Sequence, residues 1–208
     1  WLLADEQYKK QKIYLLQPRR VAAKNIALYL AKQLGESVGE TVGYRLRNDV
    51  KIGKNTRLEV ITEGILTRIM QADPEMADCA LVIFDEFHER SVQADLAFAI
   101  ARDIQEGLRD DLTLLLMSAT LASDQIKATL PNAKLLTSQG RSFPITYQYL
   151  PPNNLRFWRE HTLDVIKQQS INLASSILVF LPSSGDIKWL ADQLTPFLPS
   201  NIALHTLF

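Results

Sequence analysis

Short apolar runs alternate along this chain with stretches whose apolar residues recur at helical spacing. Residues 13–16, Ile-Tyr-Leu-Leu, read as a short strand closed by Gln17-Pro18, and proline suits a helix start. From Arg19 to Leu34 the positions Val21, Ile26, Tyr29, Leu30 and Leu34 give helical spacing, and Gly35 is a natural stop. Val42, Tyr44 and Leu46 alternate as a strand; a polar turn and a second strand over 57–62 follow. A helix over 63–71 is broken by Ala72-Asp73-Pro74. Residues 79–84 are apolar throughout, which suits a strand buried on both faces of a parallel sheet. The pattern then predicts a helix over 92–105, a strand over 112–117, a helix from Ser123 to Leu130 and a strand over 133–137. Strands alternating with helices imply an α/β layered domain with a mainly parallel sheet.

Residues 138–154 change character, with Gly140, Pro144, Pro151, Pro152 and two asparagines. They read as the passage between a first domain, 1–140, and a second, 141–208, with one strand at 145–150. The second unit is expected to hold a helix over 156–169, a strand over 177–181, a helix over 185–194 and a strand over 202–205. The chain stops on that last strand, so both ends read as truncated.

The chemistry gathers after the apolar run at 79–84, which delivers Asp85 and Glu86 side by side and then His88. Parallel sheets bind ligands at the carboxyl ends of their strands. Two acids there suit a nucleotide hydrolase: the first holds the Mg²⁺ that bridges the β- and γ-phosphates, and the second orients or deprotonates the attacking water. The plain alternative is an Asp-Glu pair capping the next helix, and for an isolated pair that is the better reading. His88-Glu89 makes no zinc helix, because Val92 stands where the second histidine would be.

Composition narrows the classes. Among 208 residues, 23 basic and 23 acidic side chains cancel, so any polyanion site must be a local patch. The most basic window holds Arg45, Arg47, Lys51, Lys54 and Arg57 against one acid, Asp49. A solvated hairpin explains it as well as a phosphate track does. The single cysteine, Cys79, lies in an apolar run and allows no internal disulfide, which fits a reducing compartment. No apolar run reaches the ~18 residues of a membrane span, and Trp-Leu-Leu-Ala-Asp-Glu is no signal peptide. A cytoplasmic protein without a membrane partner is expected. No phosphate-binding loop of the form G-x-x-x-x-G-K-[ST] is present; Gly53-Lys54 is followed by Asn55 and has Asn48 where the first glycine should be.

Asp85-Glu86-Phe87-His88 resembles the Walker B motif of DEAH-box helicases, with Phe in the variable third position. The match extends along the chain in order. Residues 17–23, Gln-Pro-Arg-Arg-Val-Ala-Ala, resemble motif Ia, and 42–47, Val-Gly-Tyr-Arg-Leu-Arg, the family segment after it. Thr62-Glu63-Gly64 resembles motif Ib, His88-Glu89-Arg90-Ser91 continues motif II, and Ser118-Ala119-Thr120 matches motif III. Residues 140–145 are similar to the interdomain strand, and Val179-Phe180-Leu181-Pro182 resembles motif IV. The ordered set carries the resemblance, and the bacterial HrpB-like branch is the one it most resembles.

That resemblance implies two RecA-like domains, ATP and Mg²⁺ as cofactors, and 3′–5′ movement on single-stranded nucleic acid, with RNA the expected polymer. Asp85 would order the metal and Glu86 would polarise the water. His88 would join Ser118, Ala119 and Thr120 in linking nucleotide state to the second domain. Arg19, Arg20, Thr62 and Gly64 would grip phosphates at two helix starts, with Arg45 and Arg47 beside them. Ser183 would offer a hydroxyl, although the family's Pro-Gly is here Pro182-Ser183, which leaves the turn geometry open. Trp158 and Trp189 read as core residues. With no P-loop and no motifs V and VI in view, these 208 residues are not expected to hydrolyse ATP by themselves. Two other classes fit the same motifs: a degenerate module that only binds nucleic acid, and a DNA translocase of the same superfamily.

Overall fold

A computed structural model of the chain describes residues 2–119, 130, 132–138, 140, 143–170 and 176–207. They fall into two compact units, 1–136 and 137–208.

The first unit is built on a six-stranded sheet. In chain order its elements are β1 (Lys12–Leu16), α1 (Arg20–Gln33), β2 (Val42–Leu46), β3 (Asp49–Lys51), β4 (Leu58–Ile61), α2 (Glu63–Ala72), β5 (Cys79–Phe84), α3 (Val92–Gly107) and β6 (Thr113–Leu116). The strands lie in the order β3-β2-β4-β1-β5-β6, parallel throughout except that β3 runs antiparallel to β2.

Side chains of a strand alternate between faces, and that alternation sorts the core. Ile13, Leu15, Leu81 and Ile83 point to one face, which α1 covers with Ala23, Ala27 and Ala31. Tyr14, Leu16, Val82 and Phe84 point to the other, which α2 and α3 cover with Leu66, Met70, Ala97, Ala101 and Ile104. Small alanines at i, i+4 and i+8 let a helix lie close on the sheet. Both faces of β1 and β5 are therefore buried, as their uninterrupted apolar sequences require.

The structure departs from the sequence reading at the hairpin. Residues 49–51 form an edge strand where a polar turn was expected. Asn48 makes the tight reversal at φ 63, a conformation asparagine tolerates. Gly43 is required at the far end of the β2–β3 pairing, because a Cβ there would run into the carbonyl of Lys51. The chain opens with two short 3₁₀ turns, Leu2–Ala4 and Glu6–Tyr8. Arg57 pins them, donating to the carbonyls of Leu3 at 3.1 Å and Tyr8 at 3.0 Å. That guanidinium is turned inward and leaves the basic window.

The predicted strands at 133–137, 145–150, 177–181 and 202–205 are not formed. A strand exists through its partner, and none of these segments has a ladder neighbour among the described residues. The helix predicted from Ser123 lies outside the described residues except for Leu130. In the second unit α4 (Trp158–Ser170) and α5 (Ser184–Leu194) are present. They pack through Leu163, Ile166, Leu190 and Leu194, with Val179 and Leu181 against them.

Candidate nucleotide and nucleic-acid site

The carboxyl end of β5 carries the acid pair. Asp85 extends the ladder by donating its backbone N–H to Leu16 at 3.1 Å. Its carboxylate is held on both oxygens: Oδ1 accepts the N–H of Glu86 at 2.9 Å, and Oδ2 accepts Nε2 of Gln17. Gln17 is only 3% exposed, and its backbone N–H donates to Ile61 at 2.9 Å.

Glu86 then turns into the left-handed region, φ 52 and ψ 35, and opens a 3₁₀ turn over Phe87–Glu89 that Arg90 closes at φ 49. Each such non-glycine residue costs roughly 1–3 kcal/mol and persists only where its surroundings fix it. The fixing groups are visible. Phe87 donates its N–H to Met117 at 3.0 Å, and Met117 donates to Phe84 at 2.8 Å. The Phe87 ring is buried edge-on against Phe84 and Phe98, with centroids 6.3 and 5.4 Å away. Arg90 lies 5.6 Å over the same ring and bonds Asp95 at 3.1 Å. Together these hold the Glu86 carboxylate at the surface, where His88 Nδ1 stands 3.5 Å from Oε2.

The Phe87–Met117 bond also brings the end of β6 to the acid turn, so Ser118 and Ala119 follow on the same sheet end as Asp85. Thr120 lies outside the described residues.

The residues expected to grip phosphates divide into two groups. Arg19 precedes α1, and its side chain is 74% exposed, with Nη2 2.8 Å from Oε1 of Glu89. Thr62 precedes α2 without using its hydroxyl as a cap, and Gly64 is exposed in the first turn. Glu63 accepts the Ser91 hydroxyl at 2.6 Å, and Ser91 caps α3 through the N–H of Ala94. These links bring motifs Ia, Ib and II to one edge. Arg20 donates to the carbonyl of Arg47 at 2.8 Å, tying α1 to the hairpin turn.

Arg45 goes elsewhere. Its Nε and Nη2 reach Glu59 at 2.5 and 3.1 Å, and Lys12 reaches the same carboxylate at 3.2 Å. Glu59 is 1% exposed, so its charge needs both partners, and Arg45, its side chain 29% exposed, spends its guanidinium on that carboxylate. Asp49 is likewise engaged: Lys24 at 2.8 Å holds its carboxyl below the usual range, and the Tyr44 hydroxyl donates to it at 3.0 Å.

In the second unit Ser183 caps α5. Its hydroxyl accepts the N–H of Asp186 at 3.2 Å and donates to Oδ2 of the same residue at 2.6 Å. The hydroxyl bond, ahead of the Arg159 charge, lowers the pKa of Asp186. Arg159 pairs with Asp186 and lies 5.7 Å from the Trp158 ring and 5.9 Å from the Trp189 ring. Serine in place of glycine thus caps the helix through its hydroxyl, and the tryptophans are half-buried around an arginine.

The donor set suits Mg²⁺. That ion binds through one or two carboxylates, waters and nucleotide phosphates, with no cage of protein ligands. A single half-buried, doubly hydrogen-bonded Asp85 fits this, and no group of three or more potential ligands occurs among the described residues.

Sequence reasoning missed the partners. It placed Gln17 in a motif without a role, and it did not foresee Glu89 on Arg19 or Phe87 as an anchor. One signal was legible: Glu59, an acid inside the apolar strand Leu58–Ile61, had to find a buried cation.

Comparison with known proteins gives a consistent picture. The family model described as DEAD/DEAH box helicase matches residues 2–129. The chain is similar to the ATP-dependent RNA helicase HrpB of Escherichia coli (strain K12), 50% identical over 201 residues, covering 95% of this chain and 24% of that protein. It is 32% identical over 186 residues to the ATP-dependent RNA helicase HrpA of Borreliella burgdorferi, covering 86% of this chain and 22% of that one. The crystal structure of the Escherichia coli DEAH/RHA helicase HrpB superposes with a TM-score of 0.88 at 49% identity, over 96% of this chain and 25% of the other. The chain spans about a quarter of the length of the curated relatives it matches.

Proposed function

The chain belongs to the DEAD/DEAH box helicase family, its six-stranded sheet being that of a RecA-like helicase domain, and on that premise we propose that it is part of an ATP-dependent RNA helicase motor moving 3′–5′. The observation that carries the reading is the acid pair at the carboxyl end of β5, with Asp85 clamped by Gln17 and Glu86 turned outward by a strained, anchored turn.

In this reading Asp85 takes the Mg²⁺ that accompanies ATP. The metal, when bound, neutralises charge developing on the phosphates. Gln17 and the Glu86 N–H hold the Asp85 oxygens in one orientation, so little reorganisation remains for binding. Glu86 orients the attacking water and accepts its proton. His88, beside Glu86, with Ser118, Ala119 and Thr120 after β6, relays nucleotide state to the second RecA-like domain, to which residues 141–208 belong. Arg19, Arg20, Arg47, Thr62 and Gly64 grip the backbone of single-stranded RNA, and Ser183 does so from the second unit. Arg45 drops out because Glu59 occupies it. Grip on phosphates makes binding salt-sensitive and weakly sequence-specific. A single cysteine fits work in a reducing cytoplasm, and no helix among the described residues is long and apolar enough to cross a membrane.

The test is ATP hydrolysis by a full-length protein carrying this chain, with and without single-stranded RNA, beside Glu86→Gln. Turnover that rises with RNA and collapses in the variant is expected. RNA binding without any turnover in the wild type would overturn the motor in favour of a binding module, and stimulation by DNA alone would overturn the RNA assignment.

A further inference from the structure

Two junctions lie side by side at the carboxyl end of the sheet. One is Gln17-Pro18-Arg19, between β1 and α1; the other is Asp85–Glu89, after β5. They are fastened at three points: Asp85 N–H to the Leu16 carbonyl at 3.1 Å, Gln17 Nε2 to Asp85 Oδ2, and Arg19 Nη2 to Glu89 Oε1 at 2.8 Å. The fastenings differ in depth. Gln17 is 3% exposed, whereas the Arg19 side chain is 74% exposed and that of Glu89 31%. An exposed pair of this kind holds weakly and can be exchanged. A buried amide without its acceptor would be costly, so Gln17 stays on Asp85.

Gln17 is also where both phosphate-gripping elements converge. Pro18 alone separates it from Arg19, and its fixed φ makes that step stiff. Its backbone N–H bonds the carbonyl of Ile61 at 2.9 Å, and Thr62 follows directly. Glu89 meanwhile offers Arg19 an anionic oxygen, which is what a nucleic-acid phosphate would offer.

We propose that Glu89 is an internal substitute for a nucleic-acid phosphate at Arg19, and that exchanging it for RNA is transmitted through Gln17 to the carboxylate of Asp85. This rests on the nucleic-acid reading of Arg19 and adds a regulation to it: the grip on RNA and the metal-side acid are linked by one buried side chain. The linkage is reciprocal, so nucleotide must alter RNA affinity through the same amide.

The experiment is fluorescence anisotropy of a labelled single-stranded RNA oligonucleotide. It uses a full-length protein carrying this chain, with and without a Mg²⁺-bound, non-hydrolysable ATP analogue. Without nucleotide, Glu89→Gln binds RNA about two- to fivefold more tightly, the worth of an exposed ion pair, and the gain disappears when Arg19→Ala is present as well. In Gln17→Met the factor by which the analogue changes RNA affinity falls toward one; Gln17→Asn, which keeps the amide but is one methylene too short to reach Asp85, gives the same loss if the methionine variant does not fold. A Glu89→Gln gain that survives Arg19→Ala, or a wild-type nucleotide effect in the Gln17 variants, overturns the proposal while leaving RNA binding intact. Absence of RNA binding in the wild type overturns the nucleic-acid reading and this link with it.

Discussion

Glu59 and Glu89 are both carboxylates paired with an arginine in the first unit, and they sit at different depths. Glu59 is 1% exposed in the middle of the sheet, between Arg45 at 2.5 Å and Lys12 at 3.2 Å. Glu89 is 31% exposed at the sheet end and meets Arg19 at 2.8 Å. Water decides what each pair is for. Away from water a charge must keep its partner, so the Glu59 cluster is fixed structure. Near water the partners can be traded, so the Glu89 pair is available to a ligand. The sheet interior holds permanent contacts, and its carboxyl end holds contacts that exchange.

The largest expected effect lies at that carboxyl end. Glu86→Gln keeps the size and the turn but cannot take a proton, so ATP turnover of a full-length protein carrying this chain should fall about 10²–10⁴-fold with stability unchanged. Steady-state turnover and thermal melting, measured together, check it. Stability lost alongside activity would place Glu86 with Glu59 among the structural acids.

Next comes the anchor of the same turn. Phe87→Ala removes a buried ring from contact with Phe84 and Phe98, and should cost about 3 kcal/mol in denaturant unfolding. It also frees the left-handed Glu86, so turnover should fall by more than the loss of folded protein explains.

The buried pair gives the third test. Arg45→Met leaves Glu59 with Lys12 alone, and should destabilise the first unit by about 2–3 kcal/mol in urea titration. RNA affinity should hardly change. A loss of RNA affinity larger than the loss of stability would return Arg45 to the phosphate track.

The interior should also respond to alkali. Burial pushes the Cys79 thiol up to about 12 from its ordinary 9.0. The unfolded thiol ionises first, so between those values the folded state binds more protons and stability falls as pH rises. Cys79→Ala removes this term, and its stability should decline less between pH 9 and pH 11 than that of the wild type.

These contrasts explain what the sequence could and could not say. Periodicity located β1, β5, α1, α2 and α3 within a few residues, because their apolar faces are packed against one another. It failed at β3, where three residues at an edge have no apolar signature, and at 177–181, where an apolar run has no ladder partner among the described residues. The acid pair was legible because its chemistry is local: two adjacent carboxylates after a buried strand. The partners of those acids were not, since Gln17 and Asp85 are joined by the sheet order and not by spacing. The partner of Arg45 was hidden for the same reason. Arg45 reads as one more surface cation until β2 is laid beside β4 and Glu59 comes within reach.

The smallest effect sharpens the contrast most. Glu89→Gln is the same acid-to-amide change as Glu59→Gln, and each acid is paired with a guanidinium. At Glu59 the amide cannot balance Arg45 and Lys12 in a site nearly closed to water, so stability should fall by about 2 kcal/mol or more. At Glu89 solvent replaces the lost charge around an Arg19 side chain that is 74% exposed, and the change should stay within about 0.5 kcal/mol. Urea titrations of the two variants, at low and at high salt, separate the cases. Salt should weaken what little Glu89 contributes and leave the Glu59 penalty standing, because a buried pair is screened far less than an exposed one. Equal losses at both sites would mean that the Arg19–Glu89 contact is structural after all, and that Arg19 is not free to exchange its partner for a phosphate.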